Sequence, residues 1–243
     1  MNKKINVVIT AGGTSEKVDN VRKITNSSSG KLGCAIAEEI LKLDNLDKIY
    51  YICSKSSYKP TNDKVKVIEI VSTSDLKESV EEVLVRENID YFIHSMAVSD
   101  YTVDYVTTAS RLAKTIDNSK ESTELAIKTN TDNIRDTKIS SYEDNLIIKL
   151  KPTPKIINII KNISPDTYLV GFKLLDGVSD EELIDVACKL KVKNKCDLVV
   201  ANDLSNIRNG KHKAFIIKDE YSYIIANDKK DIAKKLVKEM IND

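Results

Sequence analysis

Short apolar runs alternate with helical segments along most of this chain, and this alternation constrains the fold more than any other feature. Runs rich in Ile and Val predict strands at 4–10, 47–53, 65–71, 90–95, 168–172 and 197–201. Apolar residues at helical spacing predict helices at about 31–43, 74–88, 154–163, 179–193 and 228–242. Ser74 with Asp75, and Ser179 with Asp180, are expected helix starts. The pattern predicts an α/β fold with a Rossmann-like, doubly wound, mainly parallel sheet.

Two parts of the chain depart from this alternation. The apolar runs 213–217 and 221–226 are separated by three residues, which predicts an antiparallel hairpin at the C-terminal end of the sheet. The interval from about 101 to 145 is rich in Thr, Ser, Asn, Asp and Lys. Long polar connections in compact domains are often functional, so we interpret it as a flap or arm over a site, with a plain surface insertion as the alternative. We expect one domain over 1–243 that carries this insertion.

Composition limits the partners that the chain is expected to have. The chain has 243 residues, with Lys+Arg 38 against Asp+Glu 37, so its charge gives no reason to expect nucleic acid or a membrane surface as a partner. No apolar run is long enough to span a bilayer, and no signal peptide is visible. The four cysteines form no CxxC pair, so we expect reduced thiols and a cytoplasmic location rather than a zinc site.

Two turns near the N-terminus combine glycine with hydroxyl side chains. Ala11-Gly12-Gly13-Thr14 follows the first predicted strand, and the segment 26–33, Asn-Ser-Ser-Ser-Gly-Lys-Leu-Gly, precedes the first predicted helix. Backbone N–H groups at such turns, together with the helix dipole, favour a bound anion. The sequence therefore predicts a phosphate site that includes Gly12, Gly13, Ser29 and Gly30.

The common nucleotide-binding motifs are absent from these turns. A Walker A motif would need glycine in place of Thr25 and a hydroxyl residue in place of Leu32. A dinucleotide fingerprint would need a shorter loop and a further glycine after Gly12-Gly13. The only Tyr-xxx-Lys spacing of the kind found in short-chain dehydrogenases, Tyr51 to Lys55, lies on the second predicted strand. An NAD(P)-dependent reductase is therefore the weaker alternative.

Other polar groups follow the ends of predicted strands, where ligands of open α/β sheets bind. They are the segments 95–100, 171–172 and 201–203. Asp100 is a candidate for a magnesium contact or a ribose hydroxyl, with a helix or turn cap as the alternative. Lys189 and Lys193 lie one helical turn apart and either bind a triphosphate or complement the C-terminus of their helix.

Several stretches resemble those of the phosphopantothenate–cysteine ligases, which form an amide in coenzyme A biosynthesis. The similarity covers nearly the whole chain and is carried by segments 9–14, 19–22, 24–33, 97–101, 150–154, 170–172 and 201–203. The resemblance implies a stand-alone bacterial ligase that joins 4′-phosphopantothenate to L-cysteine. Its two steps form an acyl-cytidylate with release of pyrophosphate and then release CMP. It also implies CTP as co-substrate, Mg²⁺ as cofactor and a homodimer. The residues alone do not decide whether CTP or ATP is the co-substrate.

The resemblance also implies roles for individual residues. Asn26 matches the asparagine that holds the acyl-nucleotide intermediate. Lys138 matches the catalytic lysine that stabilises charge on the α-phosphate, and Lys114 is the alternative for this role. Asp100 matches an aspartate of the nucleotide pocket, and we assign the Mg²⁺ contact to it. The remaining nucleotide-binding positions are Met96, Ala97, Pro154, Lys155, Ile156, Ile157, Phe172, Lys189 and Lys193.

Overall fold

The computed structural model describes residues 3–119, 122–130, 132–134, 138–208 and 212–242. Its strands are β1 Ile5–Ala11, β2 Ser15–Lys17, β3 Lys23–Thr25, β4 Leu46–Ser54, β5 Val65–Ile70, β6 Tyr91–His94, β7 Tyr101–Thr108, β8 Leu146–Pro152, β9 Tyr168–Leu175, β10 Leu198–Asp203, β11 Ala214–Ile217 and β12 Tyr223–Ala226. Its helices are α1 Lys31–Ile40, α2 Thr73–Arg86, α3 Ala109–Asn118, α4 Thr123–Thr129, α5 Ile156–Ile163, α6 Asp180–Asn194, α7 Leu204–Arg208 and α8 Lys229–Asn242.

The chain divides into two compact units, and the first contains the large sheet. This unit takes in the described parts of 1–14, 27–98 and 155–243. Its strands lie in the order β5-β4-β1-β6-β9-β10-β11-β12. Neighbours from β5 to β10 are parallel, and the two remaining neighbouring pairs, β10–β11 and β11–β12, are antiparallel. The six parallel strands follow the 3-2-1-4-5-6 order of dinucleotide-binding sheets, with the order reversing between β1 and β6. The predicted doubly wound fold and its C-terminal hairpin are confirmed.

Helices cover both faces of this sheet because successive strand residues point to opposite sides. In β1, Val7 and Ile9 are buried with α1 and α8. Val8, between them, is buried with α2, α5 and α6 on the other face. Nearly continuous burial along β1 and β10 explains why their sequences are mostly apolar, which is typical of parallel strands covered on both sides.

The helix caps are built from local side chains. Helix α2 begins after Ser72, whose hydroxyl accepts from Asp75 N while the Asp75 carboxylate accepts from Ser72 N. The prediction of Ser74 as the start is wrong, because the Ser-x-x-Asp spacing of a capping box is satisfied from Ser72. Ser179 caps α6 as predicted and accepts from Glu182 N.

We expect Ser72→Ala to lower the free energy of unfolding by about 1 kcal/mol, because the Asp75 N–H in the first turn of α2 loses its side-chain acceptor. Urea denaturation of the two proteins measures this difference. Ser74→Ala is the matched control, since the Ser74 hydroxyl contacts only the exposed Glu78 carboxylate, 3.3 Å away. An equal effect of the two substitutions would contradict the assignment of the cap.

The second compact unit takes in the described parts of 15–26 and 99–154. It contains the β2–β3 hairpin, the antiparallel pair β7–β8 and helices α3 and α4. Its buried side chains include Tyr105, Val106, Ala126 and Ile139. The interval 101–145 thus contains regular elements that its polar composition did not predict. The organisation as one functional domain with an insertion stays a prediction. Within the described residues, no helix has the length and apolar character needed to cross a membrane.

Candidate functional site

A cavity of about 350 Å³ lies in the first unit at the point where the strand order reverses. Its walls come from the loop before α1 and the first turn of α1, from the carboxyl ends of β6, β9 and β10, and from α7 and the start of α8. The described lining residues are Ser27, Ser28, Ser29, Lys31, Leu32, Ser95, Met96, Ala97, Phe172, Lys173, Leu174, Asn202, Leu204, Ile207, His212 and Lys229. The volume is in the range of small-molecule sites.

The N-terminus of α1 forms one wall of this cavity. Gly30 precedes the helix with φ 70°, a left-handed conformation, and provides no side-chain cap. The first N–H groups of a helix lack intrahelical acceptors and carry partial positive charge. Lys31 and Leu32 in this first turn line the cavity together with Ser29. This arrangement agrees with the predicted anion site.

The serine loop before α1 is held by a tyrosine that the sequence analysis missed. Tyr58 N donates to Ser29 O at 3.0 Å, and the Lys31 ammonium lies 4.8 Å from the centre of the Tyr58 ring. Tyr51 Oη in turn donates to Tyr58 O at 3.0 Å. No sequence motif marks Tyr58, because its role depends on a loop that only the fold brings to Ser29.

Gly12 and Gly13 are buried and are not among the lining residues. Ala97 N donates to Gly12 O at 2.8 Å, and Thr14 N donates to Ala97 O at 3.1 Å. The turn therefore extends the pairing of β1 with β6 and fixes the wall at Met96 and Ala97. A nucleotide contact of Gly12 and Gly13 stays a prediction. In the structure these glycines lie behind the cavity wall and support it.

The cavity is cationic. Its described lining contains Lys31, Lys173, Lys229 and His212, and no aspartate or glutamate. The nearby Asp203 carboxylate accepts bonds from Val178 N, from Ser205 N and from the Ser205 hydroxyl. The bond from the Ser205 hydroxyl is the main cause that holds the pKa of Asp203 below its usual range. Asp203 therefore orders the start of α7, and the lining offers positive charge to a ligand.

Other predicted site residues lie in the second unit. They are Asn26, Asp100, Lys114, Lys138 and Pro154. Asp100 O accepts from Thr153 N at 3.0 Å, and the side chains of Asp100, Lys114 and Lys138 are exposed. Their roles stay predictions.

An ion pair between the exposed Arg22 and the buried Asp19 anchors the backbone beside Lys138. Asp19 accepts from Arg22 Nη2 at 2.7 Å and from Ile139 N at 3.1 Å, and Arg22 Nη2 donates to Ile139 O at 2.7 Å. Desolvation raises the pKa of Asp19, but the bonds from Arg22, Val21 and Ile139 outweigh it and hold the pKa well below its usual range. The hairpin carrying Asp19 thus binds the segment that carries Lys138.

The remaining predicted residues do not line the cavity. Lys155 is the N-terminal cap position of α5, while Ile156 and Ile157 pack in the core with α2 and α6. Lys189 pairs with Asp185 at 2.6 Å. Lys193 lines a smaller cavity of about 190 Å³ with residues of α5. Because α6 ends where β10 begins, Lys193 lies toward the amino edge of the sheet, whereas the larger cavity lies at the carboxyl edge.

The described lining of the cavity contains no carboxylate that could bind a magnesium ion. Mg²⁺ commonly binds through one or two carboxylates together with substrate phosphates. Among the described residues, no group of three or more His, Cys, Asp or Glu side chains is arranged to hold a metal. Asp100, the carboxylate predicted from the sequence, could serve as a single protein ligand.

The fold and the cavity define a doubly wound α/β protein with a cationic site at its switch point. The family model of the DNA/pantothenate metabolism flavoprotein C-terminal domain matches residues 2–136 and 106–242. The chain belongs to this family.

Curated relatives and a solved structure agree with this membership. The chain is 32% identical over 95% of its length to the coenzyme A biosynthesis bifunctional protein CoaBC of Thermococcus kodakarensis, and 30% identical over 96% to that of Methanocaldococcus jannaschii. It spans 49% and 50% of these two proteins. The DNA/pantothenate metabolism flavoprotein from Streptococcus pneumoniae has 35% sequence identity and a TM-score of 0.83, covering 98% of this chain and 99% of that one.

Proposed function

We propose that this chain is a phosphopantothenate–cysteine ligase that uses CTP and Mg²⁺. The observation that carries the proposal is the cationic cavity at the switch point. Its walls bring together Ser29, Met96, Ala97 and Phe172, which were assigned to nucleotide binding from separate parts of the sequence. Family membership and the relatives named for coenzyme A biosynthesis support the same activity.

The proposed reaction has two steps that suit such a cavity. The carboxylate of 4′-phosphopantothenate attacks the α-phosphate of CTP, forming an acyl-cytidylate and releasing pyrophosphate. The cysteine amine then attacks the acyl carbon, and CMP leaves. Both steps move negative charge onto phosphate oxygens, which the N-terminus of α1 and the lysines of the lining would stabilise. Mg²⁺ would neutralise part of the triphosphate charge.

The roles of individual residues follow from the resemblance and remain part of the proposal. Lys138 supplies positive charge to the α-phosphate, and Asn26 holds the acyl-cytidylate. Asp100 contacts the nucleotide or its Mg²⁺. The Lys155 segment is a further nucleotide contact. The same role for Lys189 and Lys193 stays a prediction from the resemblance, because Lys193 lies toward the edge of the sheet opposite the cavity. A homodimer and a cytoplasmic location are also proposed.

A pyrophosphate-release assay tests the activity. The purified chain is incubated with Mg²⁺, 4′-phosphopantothenate, cysteine and either CTP or ATP, and each component is omitted in turn. We expect pyrophosphate release that requires 4′-phosphopantothenate and amide formation that also requires cysteine. A parallel measurement of NADH and NADPH absorbance tests the reductase alternative. Absence of turnover with both triphosphates would contradict the ligase proposal.

We expect Asn26→Ala to slow amide formation by about tenfold or more while pyrophosphate is still released, because the intermediate loses a hydrogen-bonding partner. Rapid quench with separate detection of pyrophosphate and amide measures the two steps. Asn20→Ala, at an exposed position of the turn between β2 and β3, is the matched control and should leave both rates unchanged. Equal slowing of both steps by Asn26→Ala would argue against the assigned role.

A further inference from the structure

His212 and Lys229 form a pair in the cavity wall that the proposed reaction does not yet use. His212 lies between α7 and β11, and Lys229 is the first residue of α8. Both line the cavity of about 350 Å³. The Lys229 ammonium lies 3.4 Å from His212 Nδ1.

This contact determines which ring nitrogen of His212 carries the proton. A lysine ammonium has only protons to donate, so Nδ1 must accept from Lys229. A neutral imidazole that accepts through Nδ1 carries its hydrogen on Nε2. Desolvation and the positive charge of Lys229 lower the pKa of His212, against an opposing effect of Asp228, which favours this neutral form. His212 Nε2 is therefore a hydrogen-bond donor.

That donor is buried and has no hydrogen-bond partner among the described residues. Leaving a buried donor unsatisfied is costly, so such a group in a cavity wall indicates an acceptor supplied by a ligand. Oδ1 of the nearby Asp228 carboxylate accepts from Lys230 N at 2.8 Å and from Asp231 N at 2.9 Å, so this oxygen caps the start of α8. His212 and Lys229 thus bring an unsatisfied donor and a positive charge to the same cavity wall.

We propose that His212 and Lys229 bind a phosphate group of one substrate, as a subsite separate from the N-terminus of α1. A phosphate has several acceptor oxygens and a negative charge, so it satisfies both groups at once. The assignment to a substrate rests on the proposed ligase function. That function supplies two sources of phosphate, the phosphomonoester of 4′-phosphopantothenate and the triphosphate of CTP. One subsite takes only one of them.

Calorimetric titration of each ligand separately identifies the source. Wild type, His212→Leu, His212→Gln and Lys229→Met are titrated with CTP, with 4′-phosphopantothenate and with pantothenate, which lacks the phosphate. We expect His212→Leu and Lys229→Met to raise the Kd of the same single phosphate ligand by about tenfold or more. Glutamine places an amide N–H near the position of Nε2, so His212→Gln should restore most of the affinity. If 4′-phosphopantothenate is the ligand, pantothenate affinity should not change.

Lys230→Met is the matched control, because Lys230 is an exposed neighbour that does not line the cavity. It should leave every Kd unchanged. Thermal unfolding of all variants identifies any that do not fold, and Lys229→Met tests the proposal if His212→Leu fails to fold. The proposal would be overturned if His212→Leu and Lys229→Met weaken the binding of CTP and 4′-phosphopantothenate equally, or weaken the binding of neither.

Inorganic pyrophosphate separates this proposal from the ligase function. If neither substrate binds the wild type, the ligase function fails, yet the subsite predicts pyrophosphate binding that His212→Leu and Lys229→Met weaken. In that case, the subsite proposal also fails if the wild type does not bind pyrophosphate, or if His212→Leu and Lys229→Met bind it as tightly as the wild type does. If the substrates bind and turn over normally in both variants, the ligase function stands and the subsite fails.

Discussion

Lys138→Ala is expected to lower the rate of pyrophosphate formation by about 10²- to 10³-fold, the loss typical of removing one group that stabilises transition-state charge. Lys138 is exposed, so its truncation should leave the folded structure unchanged. Nucleotide binding should be partly retained, because the lysine acts on charge that develops during the reaction. Single-turnover measurement of pyrophosphate, with a separate CTP titration, distinguishes these two effects.

The structure adds a reason to expect a defined role at this position. The backbone of Ile139 is hydrogen-bonded to both Asp19 and Arg22. These bonds hold the backbone directly after Lys138 in place. Supporting bonds of this kind hold a functional side chain in place.

Lys114→Ala is the matched control for Lys138→Ala. Lys114 is also exposed and lies in α3 of the same unit. Its truncation should leave the rate near that of the wild type. A near-normal rate for Lys138→Ala with a large loss for Lys114→Ala would transfer the role to Lys114.

Gly33→Ala is expected to destabilise the protein by about 1–3 kcal/mol, the usual cost of overpacking a core. Helix propensity alone would give the opposite sign, about 1 kcal/mol of stabilisation. A Cβ at position 33 would lie 2.6 Å from Ala11 Cβ and 2.9 Å from Ser95 Oγ. Ser95 Oγ donates to Thr10 O at 2.6 Å, so it cannot move away without losing that bond.

The same substitution should weaken CTP binding, since moving α1 away from β1 displaces the first turn that lines the cavity. Urea denaturation and calorimetric titration measure the two effects. Gly177→Ala is the control: Gly177 has φ +71°, and no atom of the described residues lies within 4 Å of an added Cβ. It should lower stability through the left-handed conformation by about 1–2 kcal/mol and leave CTP affinity unchanged. A stabilised Gly33→Ala would refute the close packing of α1 on β1.

The large sheet could be predicted because its stability arises from patterns that are local in sequence. Buried parallel strands need continuous Ile and Val, and the helices between them need apolar residues at helical spacing. The predicted strand at 197–201 and helix at 179–193 differ from β10 and α6 by only a few residues. The strands and helices of the second unit were not predicted, because β7 and β8 are separated by a long polar interval and pair only in the folded chain.

The candidate site was predictable only in part. Ser29, Met96, Ala97 and Phe172 were found, because motifs that follow strands converge at the carboxyl edge of a parallel sheet. Lys173, His212 and Lys229 belong to no motif and come from β9, the α7–β11 loop and the start of α8, so spacing in the sequence could not relate them. Lys189 and Lys193 have the spacing expected of a phosphate-binding pair. However, α6 runs so that its C-terminal end lies toward the amino edge of the sheet, opposite the cavity.

The sequence by itself determined the class of fold and led to the prediction of an anion site. Strand and helix periodicities are local, and the segment 26–33 combines the glycines and hydroxyls that a phosphate needs. Only the tertiary structure decided which polar groups meet. It buried Gly12 and Gly13 behind the wall formed by Ala97, and it placed Lys229 against His212 Nδ1, which leaves a buried N–H on Nε2 without a partner among the described residues. The reason is physical: burial and hydrogen-bond partners depend on contacts between residues far apart in the chain, which no local pattern encodes.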